Sequence, residues 1–340
     1  MAAKEKFIQV AIDVPMDQLF DYLPNDQILK IGQYVKVPFG RRQIIGIICS
    51  ISSATDVPRE KLKKILSAEE EIIFDKNLFK LLHFVSNYYH HPIGQTIMSV
   101  VPSRIKQAKG QIKKAEKIYE ATNKLNLEWI EELPKRKVRL RKLAQALILN
   151  SIRDSELNNF VSNGRECIQE LVSLEVVIAS KWTPKINQAE TPPELNNEQK
   201  KVLSALIKKH DNVAWLIHGI TGSGKTEIYL QLLNKFVNKD QSQVLILVPE
   251  INLTPQLEAR FKLRFPDKTL VTLHSHLSDI ERLDNWRKAK SGEAKIIIGT
   301  RLAVFTPFLN LKLIIIDEEH DGSFKQYEGL RYHARDVAMM

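Results

Sequence analysis

The spacing of apolar and polar residues changes along this chain, and each spacing predicts a different kind of structure. Between residues 7 and 55, runs such as FIQVAIDV and RQIIGIICSIS are rich in β-branched residues and broken by glycine and proline, which predicts short strands. In residues 76–91, apolar side chains recur every three or four positions, which predicts a helix that Pro92 ends. The N-terminal residues are therefore predicted to form a small β-rich domain closed by a helix.

The pattern becomes helical between residues 104 and 183. Helices are predicted over residues 135–149, 153–161 and 164–174, and the extended segment VVIASKW follows them. Three helices with a short strand pair are typical of a winged-helix module. The polar residues 184–197 hold three prolines and show no periodicity, so we interpret them as a linker.

After the linker, apolar strands alternate with helical stretches, which indicates a parallel α/β sheet. The predicted strands are AWLIHG, QVLILVPE, KIIIGT and LKLIIID. The predicted fold class is therefore multi-domain α+β and α/β, with a small β-rich domain, a winged-helix-like domain and one parallel α/β lobe. The predicted boundaries are residues 1–103, 104–183 and 198–340, with the linker 184–197 before the lobe.

The composition fits a globular protein of a reducing compartment. With 340 residues, 44% of them apolar, the chain can form the cores of about two or three domains. Its two cysteines, Cys49 and Cys167, are too few for a disulfide framework or a four-thiolate zinc site. No segment reaches the roughly 18 apolar residues of a membrane span. We therefore expect a cytoplasmic protein that does not bind membranes.

The positive charge of the chain is concentrated in one stretch. Of the total net charge of +10, residues 104–145 carry +8, from 13 Lys or Arg and 5 Glu. A basic stretch attracts polyanions such as nucleic acid. A solvated helix face has the same composition, so the charge alone leaves both interpretations open.

The stretch HGITGSGKTEIYLQLL follows a predicted strand and opens a predicted helix, which is the context of a phosphate-binding loop. Glycines leave the backbone N–H groups free to surround a phosphate at the positive end of the helix. Lys225 is predicted to neutralise β- and γ-phosphate charge, and Thr226 to hold Mg²⁺ through its hydroxyl. The predicted nucleotide-binding residues of this loop are Gly219, Thr221, Gly222, Ser223, Gly224, Lys225 and Thr226.

The strand LKLIIID carries the four polar residues of a DEEH box. Acidic residues at the carboxyl end of a parallel strand lie beside the phosphate loop. Asp317 is predicted to hold Mg²⁺ through water and Glu318 to polarise the attacking water, while His320 completes the box. A GTPase would carry NKxD after a later strand, and small-molecule kinases rarely contain DEEH. We therefore predict a nucleic-acid motor that uses ATP and Mg²⁺.

Several stretches together resemble one known family. The chain is similar, over nearly all its length, to the N-terminal half of the PriA family of primosomal replication-restart helicases in superfamily 2. The resemblance implies a RecA-like first helicase lobe and an ATP-dependent 3′–5′ DNA helicase that recognises stalled forks, in replication restart and primosome assembly near the nucleoid. The implied partners are branched and single-stranded DNA, primosome proteins and single-strand-binding protein. The stretches are FDYLP, VPFG, YYHHPIG, GITGSGKTEIYL, LVPEINLTPQ, GTRLAVFTPF and DEEH.

The resemblance also assigns roles in the β-rich domain, whose family members have a pocket for the 3′ end of a nascent strand. The corresponding residues here are Phe20, Asp21, Gly40 and Lys63. An aromatic ring can stack on a terminal base, a carboxylate can accept from a base edge or the 3′ hydroxyl, and lysine can bind phosphate. Gln199 of the lobe resembles the glutamine that reads adenine.

Further roles in the lobe follow from the same resemblance. Thr300 and Arg301 resemble residues that contact the backbone of single-stranded DNA, whereas Leu302 stands where the family usually has serine. The aromatic-rich loop of the family corresponds to the segment after the DEEH box, where rings that stack on bases alternate with basic residues. Its aromatic residues here are Phe324, Tyr327 and Tyr332.

The resemblance also predicts limits on activity. In superfamily 2 motors ATP lies between two lobes, and the second lobe supplies an arginine that stabilises the transferring phosphoryl group. The sequence shows no second lobe and none of the zinc-binding cysteines expected in the full-length family. We expect the isolated chain to bind DNA and ATP without unwinding. Two hypotheses stay open: the N-terminal portion of a helicase truncated before its second lobe, or a stand-alone fork-DNA-binding module without ATPase activity.

Overall fold

A computed structural model shows how these segments fold. The described residues belong to two compact units, one formed by Met1–Ile112 with Asn187–Met340 and the other by Lys113–Ile186. The first unit contains a six-stranded sheet and a parallel sheet, and the second contains helices with a small sheet. This mixed architecture confirms the predicted fold class. The residues that the structure describes are 5–107, 117–154, 156–181, 191–208, 213–220, 222–238, 242–250 and 255–340.

The N-terminal sheet of the first unit has six strands. These are β1 (Phe7–Ala11), β2 (Phe20–Leu23), β3 (Gln33–Phe39), β4 (Arg42–Ser52), β5 (Lys63–Lys64) and β6 (Ser67–Ile72). Their spatial order is β5–β2–β1–β4–β3–β6. Only β2 and β5 pair in parallel, and the other neighbours are antiparallel. Alternate residues such as Ile8 and Val10 are buried, because side chains along a strand point to opposite faces.

Three helices follow this sheet. They are α1 (Lys76–Tyr88), α2 (Ile93–Ser99) and α3 (Ser103–Lys106). Helix α1 begins after Asp75, whose side chain accepts a hydrogen bond from the backbone N–H of Leu78 at 2.8 Å. It ends at Tyr88, before the predicted end at residue 91, because His90 adopts a φ of 51° that a right-handed helix cannot continue.

The parallel sheet of the first unit has four strands. These are β10 (Gln243–Leu247), β11 (Leu270–Leu273), β12 (Ile296–Gly299) and β13 (Leu311–Ile316). Their order is β11–β12–β10–β13, so all carboxyl ends lie at one edge. The helices of this lobe are α8 (Asn197–Lys208), α9 (Lys225–Val237), α10 (Pro255–Arg264), α11 (Asp279–Ser291) and α12 (Ala334–Met339). Strands β10 and β12 are buried along their whole length, as expected of a parallel sheet covered on both faces, and the lobe is consistent with a RecA-like fold.

The predicted strand AWLIHG is wrong, since residues 213–220 have no regular secondary structure. Trp215 is 46% and Ile220 82% exposed, so these apolar residues gain little of the burial that stabilises a central strand. Ile217 packs in a cluster with Leu313 of β13, but no ladder joins the two segments. Among the described residues, β13 pairs with β10 alone. The sequence pattern also failed to predict β11, which is only four residues long.

The second unit is a helical module with a three-stranded antiparallel sheet of order β8–β7–β9, as expected of a winged-helix-like domain. Its elements are β7 (Lys117–Ala121), α4 (Leu127–Glu132), α5 (Val138–Leu149), β8 (Ile152–Arg153), α6 (Leu157–Phe160), α7 (Gly164–Ser173) and β9 (Val177–Lys181). Leu143, Leu157 and Leu171 are fully buried at its centre. Strand β7 lies in the stretch where a helical pattern was predicted, because it pairs with the distant β9.

Within the first unit, the β-rich residues pack on the lobe. Its largest apolar cluster includes Phe74 and Ile105 from the N-terminal part together with Trp286 of α11. At the edge of this cluster, Glu71 of β6 accepts hydrogen bonds from Nε and a terminal nitrogen of Arg287, at 3.1 and 2.5 Å. The N-terminal sheet and the lobe are therefore joined by both apolar packing and a two-point ion pair.

Two features are absent from the described part of the chain. No helix is long and apolar enough to cross a membrane. No group of three or more His, Cys, Asp or Glu side chains could hold a metal ion.

Candidate functional site

The phosphate loop lies at the start of α9, whose N-cap is Gly224. Gly222 and Gly224 adopt positive φ angles of 81° and 83°, which side-chain-bearing residues rarely adopt. A Cβ atom on Gly224 would also displace the flexible end of the Gln199 side chain, whose nitrogen lies 2.4 Å from the Cβ position. The loop conformation therefore requires glycine at position 224, whereas Thr221 lies outside the described residues.

Lys225 folds back across this loop. Its Nζ donates hydrogen bonds to the backbone oxygens of Gly219 at 2.6 Å and Ile220 at 3.1 Å. These two carbonyls hold the ammonium group over the loop, and its charge also acts on the Asp317 carboxylate. A phosphate oxygen could replace them and would form a stronger, charge-assisted bond.

The acidic strand end lies beside the loop. Asp317 follows β13, and its backbone N–H donates to the oxygen of Leu247 at 2.9 Å, which continues the ladder with β10. Its side chain accepts a hydrogen bond from the Tyr229 hydroxyl at 3.3 Å. Burial, and to a lesser extent the neighbouring Glu318 carboxylate, raises the pKa of Asp317, while the Tyr229 hydrogen bond opposes this shift. A cation bound here would stabilise the ionised form.

The phosphate loop and the acidic strand end line one pocket of about 320 Å³. It combines a hydroxyl and carboxylates, which are the hard oxygen ligands that Mg²⁺ prefers, with cations suited to phosphate. The helix start adds backbone N–H groups and a positive dipole end. The residues therefore fit a Mg²⁺–triphosphate group, and the roles of Thr226 and Asp317 as its metal ligands stay predictions. The pocket is lined by Gly222, Gly224, Lys225, Thr226, Glu227, Arg260, Asp317 and Glu318.

Gln199 contacts the loop from helix α8. Its side-chain nitrogen donates to the backbone oxygen of Ser223 at 3.0 Å. Its side-chain oxygen accepts from the backbone N–H of Asn196 at 2.9 Å, and the Asn196 side chain accepts from the backbone N–H of Gln199 in return. This reciprocal arrangement caps α8 and places the amide against the loop. The role of Gln199 in reading adenine stays a prediction.

His320, the last residue of the DEEH box, does not line the pocket. Its side chain is 76% exposed, and its Nδ1 lies 3.8 Å from a Glu318 carboxylate oxygen. Glu318 itself adopts a φ of 49°, which is rare for a residue with a side chain and marks a sharp change of direction after the strand. The structure therefore brings Asp317 and Glu318 to the loop and leaves His320 at the surface.

Two residues that line the pocket, and one that contacts its Asp317 carboxylate, were not predicted from the sequence. Arg260 of α10 lines the pocket although α10 lies outside the phosphate loop. Glu227, the residue after the GKT motif, forms a buried ion pair with Arg264 of α10. Tyr229 contacts Asp317. The available signal was the spacing of Arg260 and Arg264, which are four residues apart and therefore on one helical face.

The residues predicted to form a 3′-end pocket lie around β2 and the β3–β4 turn. The Phe20 ring meets the Phe39 ring edge to face at 5.3 Å, and Lys63 Nζ donates to the Gly40 oxygen at 3.4 Å. A Cβ atom on Gly40 would meet no atom within 4 Å, so the space beside it is open. The structure therefore brings Phe20, Gly40 and Lys63 close together.

Asp21 follows Phe20 in β2 and therefore points to the opposite face of the strand. One of its carboxylate oxygens accepts a hydrogen bond from the Thr55 hydroxyl. The other, Oδ1, is buried and has no hydrogen-bond partner among the described residues. An unpaired buried carboxylate oxygen is costly in the free protein, so a donor from a ligand would stabilise it. Whether Asp21 and the other three residues share one ligand stays a prediction.

The residues predicted to contact single-stranded DNA in the lobe are largely engaged with the protein itself. Thr300 is buried. Arg301 donates to the Gln326 side chain at 2.5 Å, and a terminal nitrogen lies 3.5 Å from a Glu250 carboxylate oxygen. A hydrogen bond from Ser275, followed by the charge of Arg301, lowers the pKa of Glu250. Arg301 therefore joins the segments that carry Glu250 and Gln326.

The aromatic-rich loop has one exposed ring. Phe324 and Tyr332 are 0% and 3% exposed and belong to the apolar core, whereas Tyr327 is 66% exposed. Lys325 Nζ lies 5.5 Å from the centre of the Tyr327 ring. In this structure only Tyr327 of the three presents its ring for stacking on a base, and base contacts by Phe324 and Tyr332 stay predictions.

The two parts of the first unit each match a known protein family. Residues 9–102 match the 3′DNA-binding domain (3′BD) of PriA. Residues 196–338 match the DEAD/DEAH box helicase family. The first range covers the N-terminal sheet with α1 and α2, and the second covers the phosphate loop and the acidic strand end.

Curated proteins named "Replication restart protein PriA" align along almost the whole chain. The protein of Haemophilus influenzae is 38% identical over 349 residues, which cover 98% of this chain and 47% of the relative. The proteins of Synechocystis sp. and Bacillus subtilis are 32% and 31% identical, over 97% and 98% of this chain and 49% and 51% of the relatives. The chain thus spans about half the length of the curated relatives it matches.

Proposed function

Because the chain belongs to the PriA family of replication restart proteins, we propose that it provides the DNA-binding and nucleotide-binding parts of an ATP-dependent 3′–5′ DNA helicase. In this proposal it recognises stalled forks in replication restart and takes part in primosome assembly. One observation carries the nucleotide part: a single pocket is lined by Lys225 and Thr226 of the loop and by Asp317 and Glu318 of the strand end. The proposed division keeps the sequence boundaries at 1–103, 104–183, 184–197 and 198–340.

The pocket residues have separate tasks in this proposal. Backbone N–H groups of the loop and Lys225 bind the β- and γ-phosphates, and Lys225 gives up its bonds to the two loop carbonyls. Thr226 and Asp317 would hold Mg²⁺, which when bound neutralises phosphate charge. Glu318 orients and polarises the attacking water. Gln199 holds the loop on its outer side and binds the base.

Hydrolysis of ATP needs more than the nucleotide-binding residues of this chain. In superfamily 2 motors an arginine from a second lobe stabilises the transferring phosphoryl group, and such arginines contribute about 10³- to 10⁵-fold in related systems. The relatives extend to about twice the length that this chain covers. We expect the 340 residues alone to bind nucleotide with little DNA-stimulated hydrolysis.

Isothermal titration with ATP and Mg²⁺ tests the nucleotide site. Lys225→Ala should weaken ATP binding by roughly 100-fold, since a charge-assisted bond to phosphate is lost. Lys235→Ala, an exposed lysine on the same helix, is the matched control and should bind as the wild type does. If the wild type gives no binding heat at any temperature tried, the nucleotide site does not exist as proposed.

The 3′-end pocket is tested with forked DNA. Forks with a 3′ hydroxyl should bind more tightly than forks with a 3′ phosphate, because the buried Asp21 oxygen accepts from a hydroxyl and repels a phosphate. Asp21→Asn should reduce the difference, whereas Asp26→Asn, at an exposed position nearby, should preserve it. Equal affinities of the wild type for the two forks would rule out the pocket.

The alternative function is a stand-alone fork-DNA-binding module without ATPase activity. The engagement of Arg301 with Glu250 and Gln326 favours it, because the predicted DNA-tracking arginine is held by the protein itself. A phosphate-release assay separates the two functions. Rapid, DNA-stimulated release that is lost in Lys225→Ala would exclude the module, whereas DNA binding without release would support it for the isolated chain. Primosome proteins and single-strand-binding protein remain proposed partners of the full helicase.

A further inference from the structure

We propose that Arg260 of helix α10 is a second phosphate-binding cation of the pocket, one that contacts the terminal phosphate of ATP and so distinguishes ATP from ADP. This inference rests on the proposed nucleotide site. It adds to that site a residue from outside the phosphate loop and the acidic strand end.

The position of Arg260 is the first observation. Its side chain lines the same pocket as Lys225, Asp317 and Glu318, although it comes from a helix that follows β10. It also lies close enough to Tyr229 to act electrostatically on its hydroxyl, and that hydroxyl contacts Asp317. Arg260 therefore lies on the side of the pocket that holds the predicted Mg²⁺ ligand. The terminal phosphate and the metal are expected on that side.

The attachment of α10 is the second observation. One turn after Arg260, Arg264 forms its ion pair with Glu227 of α9, and the two side chains are only 6% and 10% exposed. Phe261 of α10 and Phe265, the residue that follows the helix, are buried in one cluster with Tyr229. Because residues four apart share a helical face, the anchored Arg264 fixes the face of α10 on which Arg260 lies. Arg260 is an exposed residue that thus reaches the pocket from a helix anchored on α9.

The third observation concerns the partners of the Arg260 side chain. Among the described residues, the Arg260 guanidinium has no ion-pair or hydrogen-bond partner, although Glu227, Asp317 and Glu318 also line the pocket. Glu227 is neutralised by Arg264, which leaves the two acidic residues at the strand end. A guanidinium that is held near a phosphate site but not paired is suited to bidentate binding of phosphate oxygens.

A diphosphate lacks the terminal phosphate that Arg260 would contact. Lys225 and the loop N–H groups bind β-phosphate in both nucleotides, so they favour ATP less strongly. The interaction of Arg260 with the terminal phosphate would then be present in the ATP state and absent in the ADP state. Such a difference is what a nucleotide needs in order to shift a protein between two conformations.

The test measures ATP and ADP binding with Mg²⁺ by the full 340-residue chain. In Arg260→Gln, ATP affinity should fall roughly 10- to 100-fold, the range for losing a hydrogen-bonded charge, while ADP affinity should change less than about 2-fold. Arg260→Lys keeps the charge but loses the planar fork, so its ATP affinity should be intermediate. Lys262→Gln, an exposed cation on the same helix, is the matched control.

The outcomes separate this inference from the proposed function. If Lys225→Ala abolishes ATP binding while Arg260→Gln and Arg260→Lys bind ATP as the wild type does, the nucleotide site stands and the role of Arg260 is refuted. Equal losses for ATP and ADP would also refute it. A loss of single-stranded DNA binding with unchanged nucleotide binding would assign Arg260 to DNA instead. Thermal unfolding of each variant checks the fold, and Arg260→Lys keeps the test decisive if Arg260→Gln is unstable. A wild type that binds neither nucleotide would overturn both proposals.

Discussion

Tyr229 is the residue that links the helix of the phosphate loop to the acidic strand end. It is buried, its hydroxyl contacts the Asp317 carboxylate at 3.3 Å, and burial followed by the charge of Asp317 raises its own pKa. The tyrosine therefore stays protonated and donates to Asp317. A donor at this position holds the carboxylate in place and favours its ionised form, which is the form that binds a metal ion.

Removal of this hydroxyl should weaken the binding of Mg²⁺. In Tyr229→Phe the pKa of Asp317 should rise further, and the apparent affinity for Mg²⁺–ATP should fall about 2- to 10-fold, in line with the loss of one hydrogen bond. Titrations of ATP at several Mg²⁺ concentrations measure the effect. Tyr327→Phe, at an exposed tyrosine outside the pocket, serves as the control. An unchanged Mg²⁺ dependence would show that Tyr229 has only a packing role.

The two cysteines should differ in reactivity. Burial raises the pKa of Cys49 to about 12, although the exposure of the whole residue is intermediate, and burial also raises the pKa of Cys167. Since the thiolate is the reactive form, Cys49 should not react with a thiol reagent at pH 8 unless the protein unfolds, and Cys167 should react first. Counting modified thiols in native and denatured protein, with Cys49→Ser and Cys167→Ser as controls, measures this. Rapid native labelling of Cys49 would contradict the expectation.

At the residue scale, the sequence predicted those site residues that belong to contiguous motifs. Lys225 and Thr226 follow from the loop pattern, and Asp317 and Glu318 from acids at a strand end, and the structure places all four in one pocket. Arg260 could not be predicted in the same way, because only the packing of α10 on α9 brings it to the loop.

At the scale of elements, Arg301 connects three segments that are far apart in the chain. It contacts Glu250 after β10, Gln326 in the aromatic-rich loop and the backbone oxygen of Ser323 at 3.4 Å. A DNA phosphate would have to compete with the Glu250 carboxylate for this guanidinium. Glu250 is therefore a candidate restraint on DNA binding by the lobe.

Neutralising that carboxylate should increase the affinity for DNA. In Glu250→Gln the attraction of Arg301 to the carboxylate is lost, and single-stranded DNA should bind about 2- to 5-fold more tightly at low salt, as expected for a partly exposed charge pair. Fluorescence anisotropy with a labelled oligonucleotide measures this. Glu258→Gln, on α10, is the control for a general change in charge. Weaker binding in Glu250→Gln alone would show that the carboxylate itself supports the DNA contact.

Elements with strong local patterns were predicted well, and elements that depend on distant partners were not. The apolar runs of β10, β12 and β13 and the amphipathic helices α1, α5 and α7 were recognised from the sequence pattern. Strand β7 was missed because its strand character comes from pairing with β9. The apolar run AWLIHG predicted a strand, but it pairs with no strand in the described part of the chain and much of it is exposed.

At the scale of the whole molecule, the first unit joins the part matching a 3′DNA-binding domain to the part matching a helicase domain. The Glu71–Arg287 pair lies at this junction, with side chains 26% and 17% exposed. The backbone N–H of His333, next to the aromatic-rich loop, also donates to the Tyr89 hydroxyl at 3.2 Å. Rigid packing at this junction would make the 3′DNA-binding part and the helicase part move as one body.

A double-mutant cycle measures how strongly the junction is coupled. Glu71→Gln and Arg287→Gln should each lower the free energy of unfolding of the chain, and the cycle should give a coupling energy of about 1 kcal/mol that decreases with added salt. Urea unfolding with both single variants and the double variant provides the values. Glu70→Gln, at a neighbouring exposed position, should have little effect. A coupling energy near zero would mean that the Glu71–Arg287 pair does not stabilise the junction.

The one-sided pairing of β13 has a practical consequence for handling the protein. Among the described residues β13 has a ladder on one side only, and the segment that packs on it through Ile217 exposes Trp215 and Ile220. This side of the strand therefore offers a template on which another copy can add a strand. On warming, concentrated solutions should therefore aggregate at a lower temperature than dilute ones. Charged substitutions at Ile220 should keep the protein monodisperse in light scattering, and crystallisation trials would profit from starting with that variant.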